Sequence, residues 1–333
     1  MGIGGDLIFS SIIRNLRLQS YKPIVVASTP ELTDLLRGKL YNRAVTHELN
    51  PVFQLNPRVV FPESKKKGMV SQFIDSGFKK ILEKLGFYPS YEKFIFWLGT
   101  NLKRSHYIYL DMELLSYGEK TLQDRVIWKT GGHAVDIGLK NYGMQSLDHR
   151  CELFLSTQEK NSITTLKQKL GLDAKSYLVL EPNTNKDWFG DLRSWPWENW
   201  LALIEKLQKN LPSGIELVQV GVEGSTALPN IKNISGKNSV RETAAIIRDA
   251  KLFIGTEGGL MHLANAMETP SVILWGGLTL PEFTGYKEYQ TVICKYVECA
   301  PCGLRGNCPH QKKCMTSITV DEVFAAITSE LKK

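Results

Sequence analysis

A chain of 333 residues with 43% hydrophobic and 23% charged side chains holds more apolar material than one core usually organises, so two domains of similar size are expected. No stretch is apolar over the roughly 20 residues that a membrane-crossing helix needs, and six cysteines in this length do not make a disulfide-dense secreted scaffold. The formal net charge of +7 comes without a basic helix or RNA-binding motif, so no nucleic-acid partner is expected.

Residues 1–15 carry an apolar run with no basic leader and no small-residue cleavage pattern, which gives the expectation of a cytoplasmic protein. Gly2, Gly4 and Gly5 read as a turn ahead of a helix at 7–18, followed by a strand at 24–27 and a further helix near residue 30. Asp6 at that turn is either a helix cap or a carboxylate at the mouth of a cleft, able to take a proton from an attacking hydroxyl. Over residues 63–84, Met69, Phe73, Phe78, Ile81 and Leu82 interleave with lysines. This is either a solvated lysine face or an amphipathic basic segment suited to peripheral contact with an anionic membrane. Residues 59–61 and 107–110 are further strand candidates.

The Gly-rich stretch 130–143 reads as irregular, and a new helix at 158–170 places a domain boundary near 155–160. From residue 177 onward short apolar strands (177–181, 215–221, 251–255, 271–275) alternate with helices (196–210, 240–249, 259–267), the pattern of a parallel sheet covered by helices. The expected division is therefore 1–157, 158–318, and a last helix within 319–333 that crosses back onto the first domain.

The chemistry concentrates at strand ends. After the apolar strand 251–255 come Glu257, Gly258 and Gly259, which open a helix carrying Leu260 and His262. The first amides of that helix have no intrahelical partner and sit at the positive end of its dipole, so an anion belongs there. His262 alone could equally be a satisfied core histidine. After strand 177–181, Thr184, Lys186 and Arg193 can supply a hydroxyl and cations to a diphosphate, and the tryptophans nearby read mainly as packing residues. Glu223, just past strand 215–221, can accept hydrogen bonds from a ribose diol. Cys299, Cys302, Cys308 and Cys314 are spaced for a structural zinc or iron site, with His310 and Cys294 as spare ligands; unligated thiols in a surface loop remain an equal reading.

Taken together, Gly-x-Gly-Gly-Asp at residues 2–6, Arg-Ser-Trp-Pro-x-x-x-Trp at 193–200, Gly-Thr-Glu-Gly-Gly-Leu-Met-His-Leu-Ala at 255–264, Thr-Pro-Ser-Val-Ile-Leu-Trp-Gly at 269–276 and the cysteine-rich tail resemble the ADP-heptose:lipopolysaccharide heptosyltransferases of glycosyltransferase family nine. The resemblance implies an α/β GT-B fold, two Rossmann-like domains with parallel sheets facing a central cleft. It also implies an inverting transferase that needs no metal or other cofactor for catalysis. The donor it implies is a nucleotide sugar, ADP-heptose, and the acceptor a lipopolysaccharide core or another cell-envelope glycan. An enzyme of this kind is expected in the cytoplasm, peripheral on the inner face of the cytoplasmic membrane.

Carried over position by position, Asp6 matches the catalytic base, with Gly4 and Gly5 forming the acceptor-side turn. Thr184 matches a phosphate-side threonine, Arg193 stands where the family usually has lysine, and Glu223 matches the ribose contact. Glu257 replaces the usual aspartate and Gly258 the usual serine or threonine, while Gly259, Leu260 and His262 agree. The family has an apolar strand before the Gly-Gly-Asp turn, so a strand upstream of Met1 is expected. Rival readings are a nucleotide-sugar epimerase on the same scaffold, which product analysis without acceptor would separate, and heptosylation of a protein. A nicotinamide-dependent dehydrogenase is disfavoured because the N-terminal glycines lack the G-x-G-x-x-G spacing.

Overall fold

The structure is a computed structural model, and it describes residues 3–20, 24–27, 50–59, 77, 80–82, 84–86, 108–111, 132–140, 142–172, 176–183, 191–304 and 307–333. In chain order the described elements are α1 (Ile3–Gln19), β1 (Ile24–Ala27), β2 (Ile108–Asp111), α2 (Ala134–Lys140), α3 (Thr157–Lys169), β3 (Ser176–Glu181), α4 (Trp197–Asn210), β4 (Ile215–Gln219) and β5 (Lys232–Asn233). There follow α5 (Val240–Arg248), β6 (Leu252–Thr256), α6 (Gly259–Ala266), β7 (Ser271–Trp275), α7 (Pro281–Thr284), β8 (Gln290–Cys294), α8 (Lys313–Thr316) and α9 (Val320–Glu330).

The strands of the second half form one parallel sheet in the order β5-β4-β3-β6-β7-β8. β6 and β7 are buried along their whole length, as expected for central strands covered on both faces. Successive side chains point to opposite sides of the pleat. Tyr177, Val179, Phe253 and Ile273 therefore join one core with α1, α3, α5 and α6, while Leu178, Leu180, Ile254 and Leu274 join another with α4 and α9. α4 buries Trp200, Leu203, Ile204 and Leu207, one helical stripe, against that second face. Ser156, Ser239 and Thr319 each start a helix with a capping box closed by Glu159, Glu242 and Glu322. In the first half, β1 and β2 pair in parallel, in register from Ile24 with Ile108.

Several expectations are corrected. Helix α1 starts at Ile3, so Gly4 and Gly5 lie inside its first turn and not in a preceding loop. The Gly-rich stretch contains helix α2, which packs on α1; a Cβ at Gly138 would come within 2.5 Å of Ile12 Cδ1, so glycine permits the approach. Strand β8 extends the sheet beyond the last strand expected. Among the described residues helix α9 packs on α4, β6 and β7 through Val323 and Ile327, where its apolar stripe meets the α4 core; whether it also reaches the first domain lies with residues outside that set. Most of the basic segment 63–84 lies outside the described residues.

Candidate functional site

In the order β5-β4-β3-β6-β7-β8, chain connections run one way from β3 and the other way from β6, so the sheet has its topological switch point between these two strands. The crevice beyond the carboxyl ends at such a point is where open α/β sheets bind ligands. β3 ends at Glu181, which pairs in register with Gly255 of β6. β6 ends at Thr256, Glu257 bonds back to β7 through its amide (3.1 Å to the Leu274 carbonyl), and α6 begins at Gly259. No side chain caps α6 and no acidic residue occupies its first turn, so its leading amides present their partial positive charge to the crevice.

Ionisable groups converge on this point. Arg193 Nη1 lies 3.8 Å from Glu257 Oε1, which also accepts a hydrogen bond from Thr279 Oγ1 at 3.1 Å. Glu257 Oε2 and Glu181 Oε2 are both buried without a hydrogen-bond partner. An attraction across 3.8 Å is worth about 4 kcal/mol at an effective dielectric near 20. The Glu257 carboxyl is nevertheless held above its ordinary range, so its desolvation outweighs the arginine. Burial likewise pushes Glu181 up to about 8, with Arg193 opposing. His262 is driven down to about 3 by burial and by Arg193, so it works here as a neutral ring. Its Nδ1 lies 2.6 Å from the Tyr286 hydroxyl, which in turn sits 3.0 Å from Cys151 Sγ. Asn265 Oδ1 accepts from the Cys151 amide at 2.8 Å, tying α6 to the segment between the two halves.

The start of α1 abuts the start of α6. A Cβ at Gly4 would lie 2.8 Å from His262 Cδ2, and one at Gly259 would lie 2.6 Å from Ile3 Cγ2; glycine on both helices is what lets them meet. Asp6 is in the first turn of α1, on the helix that makes this contact. Leu260, in the first turn of α6, is partly buried against the shared core. Glu223 is exposed in the loop beyond β4, next along the same sheet edge. Its backbone packs against Gly236, where any Cβ would fall 2.6 Å from the Glu223 Cα and the φ of 70° also favours glycine. Thr184 and Lys186 lie outside the described residues.

The comparisons with known proteins agree with this geometry. The model of glycosyltransferase family 9 (heptosyltransferase) matches residues 145–313, half of the chain. The chain belongs to glycosyltransferase family 9. Among curated relatives it is 29% identical over 132 residues to the lipopolysaccharide heptosyltransferase 1 of Pseudomonas aeruginosa, covering 36% of this chain and 35% of that one. It is 28% identical over 120 residues to the lipooligosaccharide heptosyltransferase 2 of Haemophilus influenzae, covering 33% and 34%. The matched chain spans about a third of the length of these relatives. Among solved structures, the family 9 glycosyl transferase from Veillonella parvula superposes with a TM-score of 0.62 at 15% identity over 100% of this chain and 95% of that one. The E. coli ADP-heptose lps heptosyltransferase II superposes with 0.56 at 15% identity over 99% and 96%. These likenesses show the fold, the GT-B arrangement of the family.

Within this family 9 chain the cysteine tail folds over the turn after β7: the Cys302 amide donates to the Gly277 carbonyl at 2.8 Å, and a Cβ at Gly277 would touch Cys314 Sγ at 3.3 Å. All six cysteines are free thiols, and burial raises Cys302 and Cys314 above the ordinary thiol range. Among the described residues no group of three or more His, Cys, Asp or Glu side chains is placed to hold a metal ion, although Cys299, Cys302, Cys308 and Cys314 gather closely enough for Cys302 and Cys314 to be raised by the other thiols as well as by burial. Cys294, a spare ligand in the sequence reading, is half-buried in edge strand β8. Trp195 and Trp200 are core residues, stacked edge to face at 5.1 Å. Sequence reasoning missed Glu181, Thr279 and Tyr286; only Glu181, a carboxylate closing an otherwise apolar strand, carried a local signal.

Proposed function

We propose that this protein transfers heptose from ADP-heptose, with inversion and without a metal, to a lipopolysaccharide core or related cell-envelope acceptor. The observation that carries the reading is the uncapped α6 start at the switch point, with Arg193 beside it. In this reading the two halves, divided near residues 157–158, form the two walls of the GT-B cleft. The donor diphosphate rests on the amides of Gly258, Gly259 and Leu260 and on Arg193, with Thr184 and Lys186 completing the phosphate side and Glu223 taking the ribose. His262, neutral and fixed by Tyr286, holds the shape of that wall.

Asp6, on the helix that meets α6, removes the proton from the acceptor hydroxyl as that oxygen attacks the anomeric carbon, and the C–O bond to the diphosphate breaks on the opposite face. The charge that develops on the leaving ADP is met by fixed donors already in place, which supplies the electrostatic stabilisation a metal would otherwise give. The relatives are named lipopolysaccharide and lipooligosaccharide heptosyltransferases, which supports an acceptor of this class and, with it, a cytoplasmic enzyme working at the inner membrane face. No described helix is long and apolar enough to cross a membrane.

The test is transfer from ADP-heptose to a heptose-deficient lipopolysaccharide core, followed by mass spectrometry, with and without a chelator. Unchanged transfer under chelation and loss of about 10²–10⁴-fold in kcat in Asp6→Asn, with ADP-heptose binding retained, are expected. Full activity of Asp6→Asn removes Asp6 as the base, and sugar rearrangement in the absence of acceptor replaces transfer by epimerisation.

A further inference from the structure

Glu181 is not accounted for by the donor wall just described, although it stands in the middle of it. It is the last residue of β3, one of the two strands that flank the switch point, and faces Gly255 across the sheet. Gly255 has no side chain to cover it: a Cβ there would lie 3.3 Å from Glu181 Cβ. On the other side, Glu181 Oε2 lies 4.0 Å from where a Cβ would stand on Gly258, the residue that leads into α6. That oxygen is buried and has no hydrogen-bond partner among the described residues. A buried carboxyl oxygen left unpaired costs stability comparable to a lost hydrogen bond, so its retention at a ligand crevice needs a partner that arrives from outside.

We propose that Glu181, as the neutral acid, donates a hydrogen bond from its carboxyl to a diphosphate oxygen of the nucleotide sugar seated on the α6 start. The inference rests on the donor-site reading given above. Gly258 brings no hydroxyl to this space, and the carboxyl of the neighbouring strand occupies its place as donor. An ionised carboxylate has no proton to give and would repel the phosphate, so only the acid form suits the site. Burial holds Glu181 at about 8, which keeps it protonated near neutral pH, and a bound diphosphate raises it further. The charged group that acts on it is Arg193 from the loop before α4, and Glu257 from the turn after β6 and His262 from α6 share that arginine. Lys186 and Asp187 follow in the stretch outside the described residues. His262 is neutral throughout the range that matters, which leaves Glu257 as the group to be controlled for.

The experiment is calorimetric titration of the full chain with ADP-heptose, whose doubly esterified diphosphate has no titrating oxygen near neutral pH. It is run at pH 7, 8 and 9 in pairs of buffers with different ionisation enthalpies. Wild-type protein is expected to take up little proton at pH 7, about half at pH 8 and nearly one at pH 9, with affinity about tenfold lower at pH 9 than at pH 7. Glu181→Gln, which donates at every pH, should bind as wild type does at pH 7 and show neither the uptake nor the fall, whereas Glu257→Gln should keep both. Gly258→Ser, which has room for its side chain with nothing nearer than 3.8 Å, should restore binding to Glu181→Ala. A wild-type profile that is flat, or a Glu181→Gln variant that keeps the slope or loses binding while still folded, overturns the role of Glu181 alone. Absence of any ADP-heptose binding by wild type overturns the donor reading and this inference with it.

Discussion

Along the seam between the two halves, Arg14 of α1 reaches Asp148 at 2.8 Å and Glu152 at 3.4 Å, and Arg58 holds Glu152 at 2.7 Å. Arg241 of α5 binds Glu159 and the carbonyls of Pro51 and Phe154. At the carboxyl edge of β3 and β6, by contrast, Glu181 and Glu257 each keep a buried oxygen without a partner. The titrations diverge accordingly. In the seam, the guanidinium of Arg241 pulls Glu159 down to about 2, and hydrogen bonding from Arg14 and the Arg150 amide outweighs burial to lower Asp148. At the edge, burial wins and both carboxyls rise. The same residue types stabilise the molecule where they are paired and wait for a ligand where they are not.

The largest effect expected from this contrast is in the seam. Arg241→Ala strands Glu159 and two carbonyls, and should destabilise by about 3 kcal/mol in chemical denaturation while leaving ADP-heptose affinity unchanged. Glu159 is depressed relative to its unfolded value, so its contribution is present above about pH 4.5 and is lost as pH falls towards 2. The gap between Arg241→Ala and wild type should therefore narrow over that interval. A large loss of donor affinity in this variant would break the contrast, since it would make the seam part of the site.

A smaller effect sits where seam and site touch. Gly4→Ala would gain up to about 1 kcal/mol of helix propensity, but its methyl meets His262 Cδ2 at 2.8 Å, and the ring is held by Tyr286. Overpacking of this kind costs about 1–3 kcal/mol, so a net loss of roughly 1–2 kcal/mol is expected, with kcat lowered because Asp6 shifts with the helix start. A melting temperature for Gly4→Ala equal to or above that of wild type would show that the two helix starts do not meet in solution.

How much of this was legible depends on whether the signal was local. Strands such as Ser271–Trp275 are buried on both faces and read as continuous apolar runs, and helices closed by Ser-x-x-Glu boxes announce their own starts. Strand β8 was missed because Gln290 and Thr291 dilute an edge strand that is only half-buried. The glycines of α1 read as a turn because glycine favours turns, and the close approach of Gly4 to α6 depends on residues more than 200 positions away. The turn from β6 into an uncapped helix was readable from Gly258 and Gly259. The pairing of Glu257 with Arg193 and Thr279, and the place of the buried Glu181 at the same strand ends, are set by chain segments that only the sheet order brings together.

The effect that most directly separates edge from seam is one of pH. A carboxyl whose folded value is raised binds a proton that the unfolded chain has already released, so between about pH 4.5 and pH 8 Glu181 makes the fold less stable as pH rises. Gln carries no such linkage. Glu181→Gln should therefore leave the melting temperature unchanged near pH 4, where both states of the wild-type side chain hold the proton, and raise it at pH 8.5. A substitution that stabilises the protein and at the same time removes the pH dependence of donor binding is what a residue kept for a ligand should show. Destabilisation by Glu181→Gln at pH 8.5 would mean that the carboxylate is paired in solution, and the edge would then be built on the same principle as the seam.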